Sequence, residues 1–238
     1  MGTTHYLLAW VFALAAAAAQ GVEVAGVAFE TSAVVAVGEP ALALNGAGLR
    51  RAFFFDVYAM GLYLPRRTSD PAQALALPGR KRVAIQMLRD VDAETFADAL
   101  EKGLRANHGE AEMQSLEPRA RQLREIVTAQ GEIRTGMRVV LDLVPGTGTV
   151  VAIDGQVRGA PIPGEDFFRA LLENWLGEHP VSADLKRALL SAPRPPGDRR
   201  PPRASGPAPN PPRRRASRRS CGRSLLRTRR RARRAPAA

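Results

Sequence analysis

The chain has 238 residues and a formal net charge of +12, which at first suggests a nucleic-acid-binding protein. The charge is concentrated at one end, because residues 193–238 contain sixteen arginines and one acid. The remaining residues, 1–192, contain 19 Lys and Arg against 22 Asp and Glu. This mildly acidic part therefore argues against a domain dedicated to nucleic acid.

The basic C-terminal segment also holds ten of the 19 prolines, in runs such as PRPPGDRRPPR. Its few apolar side chains cannot offset the entropy of ordering, so we predict that residues 193–238 are disordered. Without interleaved aromatics it should bind no specific nucleic acid and should contact anionic surfaces only non-specifically. Two alternatives remain for this segment, namely an inert spacer and out-of-frame translation of GC-rich DNA.

The N-terminal segment carries an apolar run at residues 6–19, shorter than the roughly 20 residues that a membrane-spanning helix needs. The run ends in small residues suited to an A-x-A cut before Gln20. This pattern predicts a signal peptide over residues 1–19 and a periplasmic or secreted protein. No Lys or Arg precedes the run, so an uncleaved anchor or a buried N-terminal helix stays as the alternative.

Metal and nucleophilic chemistry find little support in the sequence. The single cysteine, Cys221, lies in the C-terminal segment, so no disulfide or cysteine-based metal site is expected. The histidines His5, His108 and His179 are scattered without ligand spacing. We therefore expect no metal and no cofactor.

Residues 20–192 have the pattern of one mixed domain. Several segments alternate or are rich in β-branched and aromatic residues, which favours strands. The predicted strands are 22–30, 40–46 with Asn45–Gly46 as a turn, 50–64 as one long strand or a bent pair, 81–90, and a meander over 137–159.

Helices are indicated by caps and by apolar residues at helical spacing. Asp92 is the predicted N-cap of a helix whose apolar face includes Phe96 and Leu100. The other predicted helices cover 111–130 with a break near Pro118, 164–177 ending at Gly177, and 182–190 capped by Ser182. Strand meanders with helices in blocks indicate an α+β fold with a mostly antiparallel sheet.

The block NGAGLRRAFFFDVYAMGLYLP (45–65), followed by KRVAIQMLRDVDAETFADALEKGL (81–104) and later IPGEDFFRALLENWLG and SADLKRALL, resembles the bacterial chalcone isomerase-like proteins. The resemblance covers about residues 22–190. It implies an open-faced β-sandwich, with a large antiparallel sheet, helices packed on one side and a ligand cleft between them. Plant members of the family cyclise chalcones, and related plant proteins bind fatty acids.

The resemblance also suggests site residues. The arginine of a G-A-G-V-R-like block in the plant enzymes falls on Arg50, and Tyr58 stands where they have a strand threonine. Their helix tyrosine and asparagine correspond to Phe96 and Gly103, whose side chains donate no hydrogen bonds. A site that stabilises a developing oxyanion needs hydrogen-bond donors, and these two helix positions supply none. Isomerase chemistry with Arg50 and Tyr58 as catalytic residues is therefore the alternative expectation and not the first.

The alternation of side chains along a strand adds further residues to this predicted site. Arg50 and Tyr58 are eight residues apart, so on one continuous strand they would face the same side, whereas Arg51 would face solvent. A guanidinium matches a carboxylate bidentately, and a nearby phenol adds a third hydrogen bond. The predicted site for a small apolar or amphiphilic ligand, a fatty acid or similar carboxylate, consists of Arg50, Tyr58, Phe54, Met60, Leu62, Phe96 and Leu100.

A simpler interpretation stays open for the same residues. Arg50 would then be a surface residue at a strand end that pairs with Asp56, and the aromatic residues would be ordinary core.

Overall fold

The computed structural model describes residues 21–35 and 39–191. The predicted signal peptide, the predicted disorder of residues 193–238 and Cys221 lie outside the described residues. In the described part, no helix combines the length and the apolar character needed to cross a membrane.

The described fold contains eleven strands. They are β1 (Gly21–Val24), β2 (Val27–Glu30), β3 (Ser32–Ala33), β4 (Leu42–Ala52), β5 (Phe55–Leu64), β6 (Lys81–Met87), β7 (Val91–Asp92), β8 (Glu132–Ile133), β9 (Arg138–Val144), β10 (Gly148–Ile153) and β11 (Gln156–Ile162).

The helices lie between and after these strands. They are α1 (Pro71–Ala76), α2 (Ala93–Asn107), α3 (Glu110–Thr128), α4 (Glu165–Leu176) and α5 (Ala183–Leu189). The predicted caps are confirmed, since the Asp92 side chain accepts from the Thr95 N–H at 3.0 Å and the Ser182 hydroxyl caps α5. The first helix, α1, has no counterpart among the predicted elements.

One antiparallel sheet organises the fold. Its seven strands run in the order β11-β10-β9-β6-β5-β4-β3, and β1 with β2 and β7 with β8 form separate pairs. Helices α2 to α5 pack on one face in the larger of two apolar clusters. The predicted α+β architecture, a large antiparallel sheet with helices on one side, is confirmed.

The central strand β5 shows how alternation separates the two faces. Tyr58, Met60 and Leu62 point towards the helices, while Ala59 and Tyr63 belong to a second cluster around Phe29 of β2. The β1–β2 hairpin thus covers the face that the helices leave open. The single strand predicted over residues 22–30 is therefore wrong, because these residues form this hairpin, with Ala25 and Gly26 at positive φ in its turn.

The Asn45–Gly46 pair is not a turn, contrary to the prediction. β4 continues through it with a bulge between Leu44 and Gly46. The buried Asn45 amide donates to the Leu189 carbonyl at 2.7 Å and accepts from the Thr68 N–H at 2.8 Å. A Cβ on Gly46 would overlap that same carbonyl at the end of α5. These two residues therefore fix the C-terminal helix on the sheet.

The segment 50–64 is the bent pair of strands rather than one continuous strand. β4 and β5 form a hairpin with its turn at Phe53–Phe54, and Arg50 is the direct cross-strand partner of Tyr58. Directly opposed residues of an antiparallel pair project to the same face. The two side chains therefore share a face because of this pairing, and the continuous-strand argument for it is wrong.

The predicted break near Pro118 is also wrong, because α3 runs through it without interruption. A proline inside a helix removes the hydrogen bond to the carbonyl four residues earlier. That carbonyl belongs to Gln114, which is exposed, as is Pro118 itself. Water can satisfy the free carbonyl there, so the cost of the proline stays small enough for the helix to continue.

We predict that Gly103→Ala destabilises the protein. Alanine normally stabilises a helix interior by about 1 kcal/mol relative to glycine. Here a Cβ would lie 2.6 Å from the Asn174 side-chain carbon and oxygen, whose amide nitrogen donates to the Leu100 carbonyl at 2.9 Å. Overpacking should lower the free energy of unfolding by about 1–3 kcal/mol, measured by urea denaturation.

The double variant Gly103→Ala with Asn174→Ala is the control, because it removes the opposing amide. Its loss in free energy of unfolding should be smaller than the sum of the losses in the two single variants. A stabilised Gly103→Ala protein would contradict the proposed close approach of α2 and α4.

Candidate ligand-binding cavity

A cavity of about 420 Å³ lies between the turn end of the β4–β5 hairpin and helices α2 and α4. This volume is within the usual 300–1,000 Å³ of small-molecule sites. Its lining comprises Arg50, Ala52, Val57 and Tyr58 of the hairpin, Arg89, Asp90, Val91 and Asp92 after β6, Thr95, Phe96, Ala99 and Leu100 of α2, Asn174 and Trp175 of α4, and Val181.

The Tyr58 phenol is a buried polar group in the cavity wall. Its oxygen accepts a hydrogen bond from the Trp175 Nε1 at 2.9 Å. Burial raises the pKa of Tyr58 to about 12, although the Trp175 hydrogen bond and the charge of Arg50 partly oppose this effect. The phenol is therefore neutral at physiological pH. Among the described residues its O–H has no acceptor, so it is free to donate to a ligand.

Arg50 places a positive charge beside this phenol. It is half-buried, and its guanidinium donates to the carbonyl of Arg51. No carboxylate within the described ranges pairs with it. Asp56 instead accepts from the exposed Arg51 at 2.7 Å, which differs from the alternative in which Arg50 pairs with that acid. An amphiphilic carboxylate would thus meet a cation that has no competing anion.

The walls of the cavity are largely apolar. Phe96 and Leu100 from α2 are buried, and Val57 and Val91 are half-buried nearer the opening. The Asn174 amide also reaches the cavity wall, but its nitrogen is held by the Leu100 carbonyl. A hydrocarbon chain would therefore find apolar contact along most of the lining.

The two acidic residues at the opening already accept hydrogen bonds from other parts of the protein. Asp90 accepts from the backbone N–H and the hydroxyl of Thr135 at 2.7 and 2.8 Å, and these bonds lower the pKa of its carboxyl. Asp92 caps α2. Within the described ranges, no three His, Cys, Asp or Glu residues are grouped to hold a metal ion. The arrangement is suited to binding through one cation and one phenol.

Four of the seven predicted site residues meet in this cavity: Arg50, Tyr58, Phe96 and Leu100. Met60 and Leu62 lie on the same face of β5 but are fully buried in the core, away from the lining. Phe54 does not form a wall, because the hairpin turn places it at the tip with 98% of its surface exposed. Its predicted position depended on a strand that continues past residue 53.

The sequence argument missed the contribution of α4. Trp175 lies in the predicted helix 164–177, but nothing in its local pattern associated it with Tyr58, which lies 117 residues earlier. Asn174 was missed because amides at helix positions are usually exposed. Its neighbour in sequence, Trp175, was the available signal that this side of α4 is buried.

The comparisons with known proteins agree with the fold. The sequence profile described as chalcone isomerase-like matches residues 21–191. The chain therefore belongs to the chalcone isomerase-like family, and membership of its bacterial subgroup stays a prediction. No curated protein matches the chain.

One solved structure similar to this chain is that of a fatty-acid binding protein from Arabidopsis thaliana. The two share 17% sequence identity with a TM-score of 0.53, over 69% of this chain and 92% of that chain. At this identity the similarity shows a shared fold.

We predict that Tyr58 ionises far later than a free tyrosine. Its folded pKa of about 12 exceeds the ordinary value of 10.0, so the stability linked to the neutral phenol is complete below pH 10 and is lost towards pH 12. The loss should be about 3 kcal/mol. Ultraviolet absorbance of tyrosinate, titrated in parallel with circular dichroism, measures both effects.

The Tyr58→Phe protein is the control for that titration, and it should lose the contribution of Tyr58 to the late step. Tyr63, whose pKa is also raised by burial, should still contribute to that step. A native protein in which every tyrosine ionises near pH 10 would contradict the buried phenol.

Proposed function

We propose that the protein is an exported, non-catalytic binder of a fatty acid or a similar small apolar carboxylate. The observation that carries this proposal is that Arg50 and Tyr58, which are direct cross-strand partners, both line a cavity of about 420 Å³ with largely apolar walls. A carboxylate placed there accepts charge-assisted hydrogen bonds from the guanidinium and a further bond from the phenol.

The apolar walls supply the rest of the affinity. Each methylene removed from water contributes about 0.8 kcal/mol, so a medium-length acyl chain outweighs a single polar contact. The fatty-acid binding protein of Arabidopsis thaliana, which has the same fold, supports a ligand of this class.

The buried phenol favours binding over catalysis. An efficient general base has a pKa near the working pH, whereas the pKa of Tyr58 is raised to about 12. The phenol then acts as a hydrogen-bond donor but is not poised to take a proton. Phe96 and Gly103 on α2 add no side-chain donors for a developing oxyanion. An isomerase of the chalcone type therefore stays the second candidate.

Export is supported by sequence alone. The apolar run at residues 6–19 and the small residues before Gln20 are typical of a cleaved signal peptide.

The binding proposal predicts that Arg50→Ala weakens the affinity for dodecanoate but not for dodecanol. Loss of a hydrogen bond to a charged group costs about 1.5–3 kcal/mol, or roughly ten- to a hundredfold in Kd. Dodecanol has no carboxylate, so its affinity should change little. Isothermal titration calorimetry of the full chain with each ligand measures the difference.

Arg51→Ala is a matched control, because Arg51 is the adjacent arginine and lies outside the cavity. It should leave both affinities unchanged. Ala99→Trp, which fills the cavity from α2, should weaken both ligands together. Equal effects of Arg50→Ala and Arg51→Ala on dodecanoate would refute the assignment of Arg50 as the carboxylate ligand.

For export, we expect the full chain expressed in a bacterial host to lose residues 1–19. N-terminal sequencing of the purified protein should then begin at Gln20. An intact N-terminus in a protein retained in the cytoplasm would reject this part of the proposal.

A further inference from the structure

Three consecutive phenylalanines form the tip of the β4–β5 hairpin. Phe53 and Phe54 are 95% and 98% exposed, and Phe55 is 57% exposed. Neither apolar cluster of the described fold includes any of them. Large apolar side chains that are exposed together usually mark a contact surface.

The backbone at the tip makes this choice of residues more unusual. Two-residue hairpin turns favour Gly, Asn or Asp, because at least one turn residue needs a positive φ. Phe53 adopts φ 55 in this turn, a conformation that is unfavourable for a bulky residue. Neither turn geometry nor core packing therefore accounts for these aromatic residues, and such local conflicts are expected at functional sites.

The tip adjoins the opening of the cavity. Ala52, which directly precedes the tip, and Val57, two residues after it, belong to the cavity lining. Arg89, also in the lining, places its guanidinium 4.5 Å from the centre of the Phe55 ring. A surface that accepts the tip would therefore also meet the opening.

The charges near the tip are suited to an anionic surface. Arg50 and Arg89 have no carboxylate partner among the described residues. Of the nearby acids, Asp56 is paired with Arg51, while Asp90 accepts hydrogen bonds from Thr135 and Asp92 caps α2. Arginines beside exposed aromatic rings are typical of segments that lie at the interface of a bilayer.

We infer that the tip, Phe53–Phe54–Phe55, inserts into the headgroup region of a bilayer containing anionic lipid, with the neighbouring Arg89 at the phosphates. This contact would place the cavity opening against the membrane, so that an acyl ligand passes between bilayer and cavity without crossing water. Only this transfer role rests on the proposed binding function.

A tryptophan probe tests the insertion directly. Full-length Phe54→Trp protein is mixed with vesicles of phosphatidylcholine and phosphatidylglycerol that carry brominated acyl chains. Val157→Trp is the matched control, because Val157 is 64% exposed on β11 and lies outside this cavity. Both variants carry the same basic C-terminal segment, so the charge of that segment affects their vesicle binding equally. Both also carry the same native tryptophans, which therefore contribute the same background fluorescence.

We expect a blue shift and strong quenching for Phe54→Trp, little change for Val157→Trp, and weaker quenching in vesicles of phosphatidylcholine alone. Equal quenching of both probes, or none, would overturn insertion by the tip. Equal quenching of the tip probe in both vesicle types would overturn the preference for anionic lipid. A blue shift that appears on raising the protein concentration without vesicles would instead show that the tip binds a second copy.

The variant F53S/F54S separates the two proposals. It should bind vesicles at least about tenfold more weakly while keeping its affinity for dodecanoate, since neither residue lines the cavity. Membrane insertion without any dodecanoate binding would refute the proposed function and leave the tip assignment standing. Unchanged vesicle binding by this variant, measured at high salt to suppress the basic segment, would refute the tip assignment alone.

Discussion

The hydrogen bond from the Trp175 indole to the Tyr58 phenol connects the central sheet to the helical layer at the point where the cavity begins. It satisfies two polar groups that would be costly to bury unpaired. The phenol accepts in this bond, so its own proton can still be donated to another acceptor beside the guanidinium of Arg50. Because a neutral donor and a cation then face apolar walls, the site is chemically complementary to an amphiphilic acid.

The shape of that site depends on how closely α2 and α4 approach. Gly103 lets the Asn174 amide reach the Leu100 carbonyl, and the two helices then pack where a larger residue would separate them. Nearer the hairpin, Ala99 and Ala52 are too small to fill the same space. The cavity is thus bounded by tight packing on one side and small side chains on the other. The exposed aromatic tip lies just outside this opening.

Much of the fold followed from local patterns. The meander after residue 137, the Asp92 and Ser182 caps and the end of α4 at Gly177 are set by short-range periodicity and capping chemistry, which the sequence carries directly. Asn45–Gly46 and Pro118 misled the local argument because tertiary contacts and exposure outweighed their usual preferences. Of the cavity lining, Arg50, Tyr58 and Phe96 were predicted from the family resemblance, and Leu100 was predicted from the apolar face of α2.

By itself the sequence determined the α+β class, the family and the identity of the cation and phenol, because these depend on residue types and their order. Only the tertiary structure decided that Arg50 and Tyr58 are opposed across a hairpin, that Phe54 lies in solvent, and that Trp175 holds the phenol. The physical reason is that a turn at Phe53–Phe54 reverses the chain. Strand parity cannot be followed through a reversal, and contacts between distant segments have no local signature.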